Sequence, residues 1–315
     1  MTHTALLFPG QASQYVGMGR DLCDRFPIAA AMYKTANDIL GYDIARLSFE
    51  GPAEELVQTA NTQPAIFIHS CIAFRLAVER GLAFDVAAGH SLGEYSALVA
   101  CGVLSFEDAL LGVKHRARFM QDACEANPGT MAAVLGMDFD GVIKVCLEAS
   151  ASGVVVAANY NAANQIAISG SLEGVKAASA LASAAGAKRV IPLAVGGAFH
   201  SPLMKPSPEL LTPILDQLTF SNARVPVIIN VTAQPTSDAG EIKRRLIDQL
   251  TAPVMWYPTM QRMSEMGITR AIEMGPKKVL CGLAKGNLAN AVLDSLDTVA
   301  DFERVWSQPE AVAQN

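Results

Sequence analysis

The chain opens with a short apolar run, Thr4–Phe8, that stops at Pro9-Gly10 and gives way to a polar, glycine-punctuated loop through Gln11, Ser13, Gln14, Gly17 and Gly19. Such a run bounded by turn residues reads as a buried strand. Ile28–Leu40 and Pro64–Arg80 read as helices, the second apolar on most faces and therefore buried. Val86–Gly89 is a short strand running straight into His90-Ser91-Leu92-Gly93, and Glu94–Cys101 continues as a helix. A further helix starts at Ser105, where Asp108 three positions on gives a capping-box-like start, and reaches about Gln121.

Past Asn127-Pro128-Gly129 the elements shorten. Strands are predicted at Thr130–Leu135, Val154–Ala158, Gln165–Ser169 and Lys188–Leu193, with helices at Asp138–Ser150 and Glu173–Ala185. The order βαββαβ is that of a ferredoxin-like split βαβ unit. After Gly196-Gly197 larger alternation resumes. A helix is expected over Leu203–Leu218, its first part interrupted by Pro206, Pro208 and Pro213, then a strand at Val227–Val231 and helices near Glu241–Leu250 and Thr259–Met266. Ile268–Met274 reads as a strand and Val279–Leu288 as a helix. The expected fold class is α/β: a hydrolase-like body with a parallel central sheet, spanning 1–126 and 197–306, and a small βαββαβ subdomain inserted at 127–196. The tail 307–315 is expected to fray.

Composition narrows the classes of function. Apolar residues make up 51% and charged residues 17% of the 315, which excludes disorder and supports a large core. Lys plus Arg is 24 against 30 acidic residues, a net charge of −6 with no dense basic stripe, so nucleic acid is not the expected partner. The six cysteines show no C-x-x-C spacing and read as reduced core residues, neither a disulfide framework nor a zinc site. No apolar run approaches the roughly 18 residues that span a membrane. The N-terminal stretch lacks the charged and apolar regions of a signal peptide, so a soluble cytoplasmic protein is expected.

The sharpest local feature is Gly89-His90-Ser91-Leu92-Gly93, a G-x-S-x-G between a strand and a helix. A nucleophile elbow needs that setting, because the tight turn lifts the serine hydroxyl out while small residues let strand and helix pack closely. The helix N-terminus then offers the Leu92 N–H to a developing oxyanion. The bare pattern is weak, since a glycine-rich turn with a capping serine reads the same way. A serine nucleophile needs a base, and the five histidines can be sorted by context. His3 is in the lead-in, His69 inside an apolar stretch, His115 mid-helix, and His90 next to the serine with its side chain expected on the opposite side. That leaves His200, in a loop after a strand. Arg116, in a small basic cluster, reads either as a solvated helix face or as a fixed guanidinium for a substrate carboxylate.

At this point a resemblance covers the chain to about residue 290. Phe8-Pro9-Gly10-Gln11, Thr62-Gln63-Pro64-Ala65, Gly89-His90-Ser91-Leu92-Gly93-Glu94-Tyr95 and the Arg116 helix resemble the motifs of the malonyl-CoA:acyl carrier protein transacylase family, whose fold is shared by polyketide synthase acyltransferase domains. The match continues through Asn159-Tyr160-Asn161, Gln165–Gly170, Gly197–Met204, Gln249 with Pro253, Val254 and Trp256, and Glu273-Met274-Gly275-Pro276. The resemblance implies Ser91 as nucleophile, His200 as base, and the Gln11 and Leu92 backbone N–H groups as oxyanion hole. It implies Arg116 as the grip on the malonyl carboxylate and the Gln249 backbone carbonyl as the group orienting His200, a dyad needing no acid. Gln63, His90, Met120 and Phe199 fall in the implied substrate pocket, Phe199 in the form associated with malonyl over methylmalonyl. Ala12 and Lys277 depart from the glycines usual at those positions; the second departure is expected to lie far from the chemistry.

The implied partners are malonyl-CoA and a phosphopantetheinylated acyl carrier protein, of fatty-acid or polyketide synthesis, with no metal or cofactor, no nucleic acid or membrane, and a monomeric chain. An α/β-hydrolase esterase shares the elbow, but places its acid before a histidine near the C-terminus. An editing acyl hydrolase has the same dyad and differs in letting water reach the acyl-enzyme. A non-catalytic carrier-binding relative is disfavoured by the retention of Ser91, His200, Arg116 and Gln11 together. Carrier and CoA are both anionic, so a positive patch is expected near the cleft, with Lys188-Arg189, Lys277-Lys278 and Lys285 as candidate contacts.

Overall fold

The computed structural model describes residues 3–307, and the tail expected beyond Ser307 lies outside them. Ten strands form two sheets: β1 (Thr4–Phe8), β2 (Val86–Gly89), β3 (Gly129–Leu135), β4 (Val155–Ala162), β5 (Gln165–Ser171), β6 (Arg189–Pro192), β7 (Val227–Ile228), β8 (Pro235–Thr236), β9 (Arg270–Met274) and β10 (Val292–Leu296). The large sheet has the order β10-β9-β1-β2-β7-β8. Its first five strands are parallel, and β8 returns antiparallel to β7, so the sheet is parallel except at one edge.

Every residue of β1 and β2 is buried, as expected for central strands covered on both faces. Alternation divides their side chains between the faces. Leu6, Phe8 and Ala87 join the core that holds the helices Pro27–Leu40, Thr59–Val78 and Phe106–Ala126. Ala5, Leu7, Val86 and Ala88 pack on the other side with Trp256, Met260 and Leu280. The short loop from β2 into the helix Gly93–Ala100 therefore emerges at the carboxyl edge of a fully packed sheet, where α/β folds place their chemistry.

The second sheet is antiparallel with the order β4-β5-β3-β6, and the helices Phe139–Ala149 and Leu172–Ala184 supply Val142, Val145, Val175 and Ala178 to a separate core. Asp138 and Ser171 cap those helices by accepting from Gly141 N and Gly174 N. The βαββαβ order read from the pattern is present. This sheet is tied to the rest of the chain by β4: Tyr160 N–H donates to Val254 O (2.9 Å) and Val254 N–H to Ala158 O (2.9 Å).

Several boundaries differ from the pattern reading. The helix expected from Pro64 begins at Thr59, with Pro64 inside it. A proline within the first turns withholds only one hydrogen bond, and the Ala60 carbonyl it leaves accepts from the Tyr42 hydroxyl at 3.5 Å. The strand expected over Val227–Val231 stops after Ile228, because the chain turns back, with Ala233 N–H donating to Ile229 O. The helix expected from Leu203 is a single 3₁₀ turn, Pro202–Met204, followed by a helix from Pro206. Missed altogether were β8, β10 and the helices Arg20–Arg25, Ile44–Glu50, Ala53–Leu56 and Val299–Ser307. All six cysteines are unpaired. No helix of the described residues is long and apolar enough to cross a membrane.

Candidate active site

Ser91 follows β2 directly and has φ of 52°, in the left-handed region that non-glycine residues seldom occupy. Three contacts hold it there. The Ser91 N–H donates to Asn230 Oδ1 (2.7 Å), Asn230 Nδ2 donates to Gly89 O (2.6 Å), and Gln249 Nε2 donates to Ser91 O (3.0 Å). The turn is possible only because residues 89 and 93 lack side chains. A Cβ on Gly89 would lie 1.9 Å from the Gly93 carbonyl carbon, and one on Gly93 would lie 2.0 Å from Phe8 O.

His200 also has a positive φ, 58°, and is buried. Its Nε2 lies 2.8 Å from Ser91 Oγ and its Nδ1 lies 2.8 Å from Gln249 O. A carbonyl can only accept, so Nδ1 carries the proton and Nε2 is left as acceptor for the serine hydroxyl. Burial, and next the nearby Arg116 charge, hold the imidazole at about 3, far below its ordinary 6.5. Among the described residues, no carboxylate is bonded to the ring.

Arg116 is not on a solvated face. It is fully buried, pointing inward from the helix Phe106–Ala126 that Ser105 caps. Its Nη1 donates to Gln63 Oε1 (2.6 Å), and its Nη2 donates to Gln249 Oε1 (2.8 Å) and Ser91 Oγ (3.0 Å). The guanidinium also lies 5.8 Å from the Tyr95 ring centroid. Its polar partners are thus neutral. Gln63 Nε2 in turn donates to Gln11 Oε1 (3.1 Å) and approaches Met120 Sδ (3.5 Å), so Gln63, Met120, Gln11 and Arg116 form one contiguous set. Phe199, also buried, precedes His200 in the chain.

Among the described residues, no hydrogen bond occupies the main-chain N–H of Gln11 or of Leu92. Beside Gln11 lies a cavity of about 480 Å³ lined by Gln11, Ala12, Thr59, Cys124, Ala194 and Gly196. A larger one, about 1030 Å³, lies between Met32, Phe74, Val103 and Arg224, and shares no residue with the Ser91 cluster.

The remaining histidines stand apart. His90 turns away to Asn161 Oδ1 of β4 (2.8 Å), its ring tilted against Trp256. His69 is wholly buried with Nε2 3.0 Å from Asp297 Oδ1, His115 packs near Phe119, and His3 is exposed. Lys277 corrects the expectation of a remote departure: its Nζ donates to Ala12 O at 3.3 Å, beside Gln11. Ala12 and Lys277 both have positive φ, 78° and 66°, the region glycine would occupy without strain.

Sequence reasoning missed two members of the cluster. Glu94 is completely buried, and its Oε2 accepts from Gln249 Nε2 (2.8 Å) and Asn230 N–H (3.2 Å). Asn230 is the other, and the only sequence signal for either was a polar residue flanked by an apolar run or an elbow.

Comparison with known proteins identifies the family. A family model described as "Acyl transferase domain" matches residues 5–298. The malonyl CoA-acyl carrier protein transacylase of Bacillus subtilis is 46% identical over 286 residues, covering 90% of each chain. That of Escherichia coli is 42% identical over 314 residues, covering 99% of this chain and 98% of the other. The crystal structure of an acyl carrier protein S-malonyltransferase from Vibrio cholerae superposes with a TM-score of 0.93 at 40% identity, over 96% of this chain and 100% of that one. A malonyl-transacylase solved in complex with a type II polyketide synthase acyl-carrier protein does so with a TM-score of 0.93 at 36% identity, over 98% and 100%. With a half-buried serine paired to a buried histidine beside a buried arginine, and a family model and relatives that match nearly its whole length, the chain belongs to the malonyl-CoA:acyl carrier protein transacylase family of acyltransferases.

Proposed function

We propose that this chain moves a malonyl group from CoA to the phosphopantetheine thiol of an acyl carrier protein through an ester on Ser91. One observation carries the reading. The Ser91 hydroxyl lies between a neutral imidazole at 2.8 Å and a buried guanidinium at 3.0 Å whose hydrogen-bond partners are all uncharged. A hydrolase acting on neutral esters has no use for a buried cation beside its nucleophile, whereas an acyl group ending in a carboxylate does.

His200 Nε2 takes the Ser91 proton as Oγ attacks the thioester carbonyl. The free N–H groups of Gln11 and Leu92 receive the negative charge that forms on the carbonyl oxygen. The carbonyl re-forms, CoA leaves as thiol with the proton from His200, and the carrier's thiol repeats the sequence in reverse. Arg116 exchanges its contacts with Ser91 and Gln249 for the malonyl carboxylate, with Gln63 steadying its other arm. Gln63, Met120 and Phe199 bound the acyl pocket, and His90 steadies the nucleophile turn from the side of Asn161. Residues 127–196 act as an inserted subdomain that walls one side of the site, on a catalytic body of 1–126 and 197–306. Every group the reaction uses lies in one chain, which supports action as a monomer.

Incubation with radiolabelled malonyl-CoA in the absence of carrier tests this. About one label per chain is expected to survive denaturation, and none in Ser91→Ala. Labelling of the variant equal to the parent overturns the assignment, and so does a parent that takes no label.

A further inference from the structure

Glu94 is a carboxyl group with no exposure to water, three residues past the nucleophile, and it touches neither the histidine nor the position a substrate would take. Burying such a group is costly unless its hydrogen bonds are made. Both of its bonds converge on Oε2, while Oε1 has no partner. Oε2 therefore accepts whether or not the group is ionised, which matters because burial pushes the carboxyl up to about 7.

The two donors are the informative part. One is Gln249 Nε2, whose side-chain amide presents Oε1 to Arg116 Nη2 while its own main-chain carbonyl holds His200 Nδ1. The other is the main-chain N–H of Asn230, whose side chain grips Ser91 N and Gly89 O. The amide of Gln249 could in principle sit flipped, with its NH₂ toward Arg116, a donor facing a donor. Two acceptors face that nitrogen, Glu94 Oε2 at 2.8 Å and the Ser91 carbonyl at 3.0 Å, and together they forbid the flip, because only NH₂ can face them. In that orientation the amide joins Gln63 Oε1 and Ser91 Oγ in holding Arg116 beside Ser91.

We propose that Glu94 is a positioning residue for malonyl selection: by fixing the amide of Gln249 and the turn at Asn230 it aims the guanidinium of Arg116 at the place where the substrate carboxylate binds. The role rests on the acyl-transfer reading given above. It acts through neighbours, and it bears on a charged acyl group more than on a neutral one, since only the charged group needs Arg116 in place.

The test compares acylation of Ser91 by malonyl-CoA and by acetyl-CoA in the full-length chain and in two variants. Glu94→Met keeps the length of the side chain and removes the acceptor. It is expected to lower the malonyl-to-acetyl ratio of kcat/KM by about tenfold or more, mainly through a higher KM for malonyl-CoA. Glu94→Gln, which restores an acceptor, is expected to recover most of the ratio. A Glu94→Met ratio equal to the parent's, or a Glu94→Gln ratio no better than that of Glu94→Met, overturns the role. Should Glu94→Met not fold, Glu94→Asp, which draws the acceptor back by one methylene, is read by the same ratio with the same fall expected, and an unchanged ratio overturns the proposal. A parent chain that forms no malonyl ester at all refutes the functional reading itself, which separates the two failures.

Discussion

His200 occupies an electrical setting that a solvent-exposed imidazole would not meet. Burial and the Arg116 charge keep it neutral down to about 3, and Gln249 O fixes its tautomer, so it stands ready as a base across the whole neutral range. The pH profile of kcat/KM for Ser91 acylation reports the free enzyme, and its acid limb is expected well below the ordinary imidazole value of 6.5. Arg116→Met should move that limb upward, because it removes the second cause of the depression. A parental limb near 6.5, followed by rapid-quench acylation, contradicts the geometry. At this scale Ser91 and His200 were legible because each sits on a local signal, an elbow and a glycine-flanked loop. Glu94 and Asn230 were not, because their meaning lies in contacts spanning 136 to 155 residues of chain, which no local pattern encodes.

The crossing of β2 and the helix Gly93–Ala100 depends on close backbone approach rather than on side-chain packing. Gly89→Ala must displace the Gly93 carbonyl, which backbone cannot do cheaply, and a loss on the order of 3 kcal/mol or more is expected. Urea unfolding checks this: a midpoint matching the parent's means that the helix does not approach the strand as described. The helix Phe106–Ala126 presents a contrast, since its Ser105 cap was readable from sequence alone and the structure shows it accepting from Asp108 N at 3.0 Å. Where elements were missed, the cause is local. β10 reads Val-Leu-Asp-Ser-Leu, and its Asp294 is drawn into ion pairs with Arg270 and Arg304, so a polar residue interrupts the apolar run without ending the strand. The helix from Thr59 starts in polar residues that bury only because Arg116, Gln63 and Gln121 meet there, with Ala60 N–H donating to Gln121 Oε1.

For the molecule as a whole, buried titratable groups make stability depend on pH in opposing ways. The folded chain keeps His200 unprotonated down to about 3, whereas the unfolded chain protonates it below about 6.5, so the unfolded state holds more protons between those values and stability rises with pH there. Glu94 and Glu273 act in the other direction: the folded chain keeps their protons up to about 7 and the unfolded chain releases them near 4.5, so stability falls with pH across that window. Glu273 accepts from Leu280 N–H and Cys281 N–H in the first turn of a helix and shares none of Glu94's partners, so the two acids are separable. His200→Gln is expected to remove part of the rising component, His90 and His115 supplying the rest because burial holds them too below 6.5, so that stability gains less, or falls more, from about pH 4.5 to pH 6.5 than in the parent. Urea midpoints measured across that range decide it, and a variant profile parallel to the parent's refutes the assignment.

The seam along β4 limits how this chain could be recombined with its relatives. His90, adjacent to the nucleophile, is bonded to Asn161, and Val254, two residues before Trp256, is stitched to Ala158 and Tyr160. A chimera that traded only the antiparallel sheet for one without an asparagine at position 161 would strip His90 of its partner, and one with a shifted β4 edge would leave the Val254 main chain unpaired. A donor sheet that breaks either condition has to bring the His90 turn and the Val254–Trp256 stretch with it, three pieces distant in the chain inherited as one.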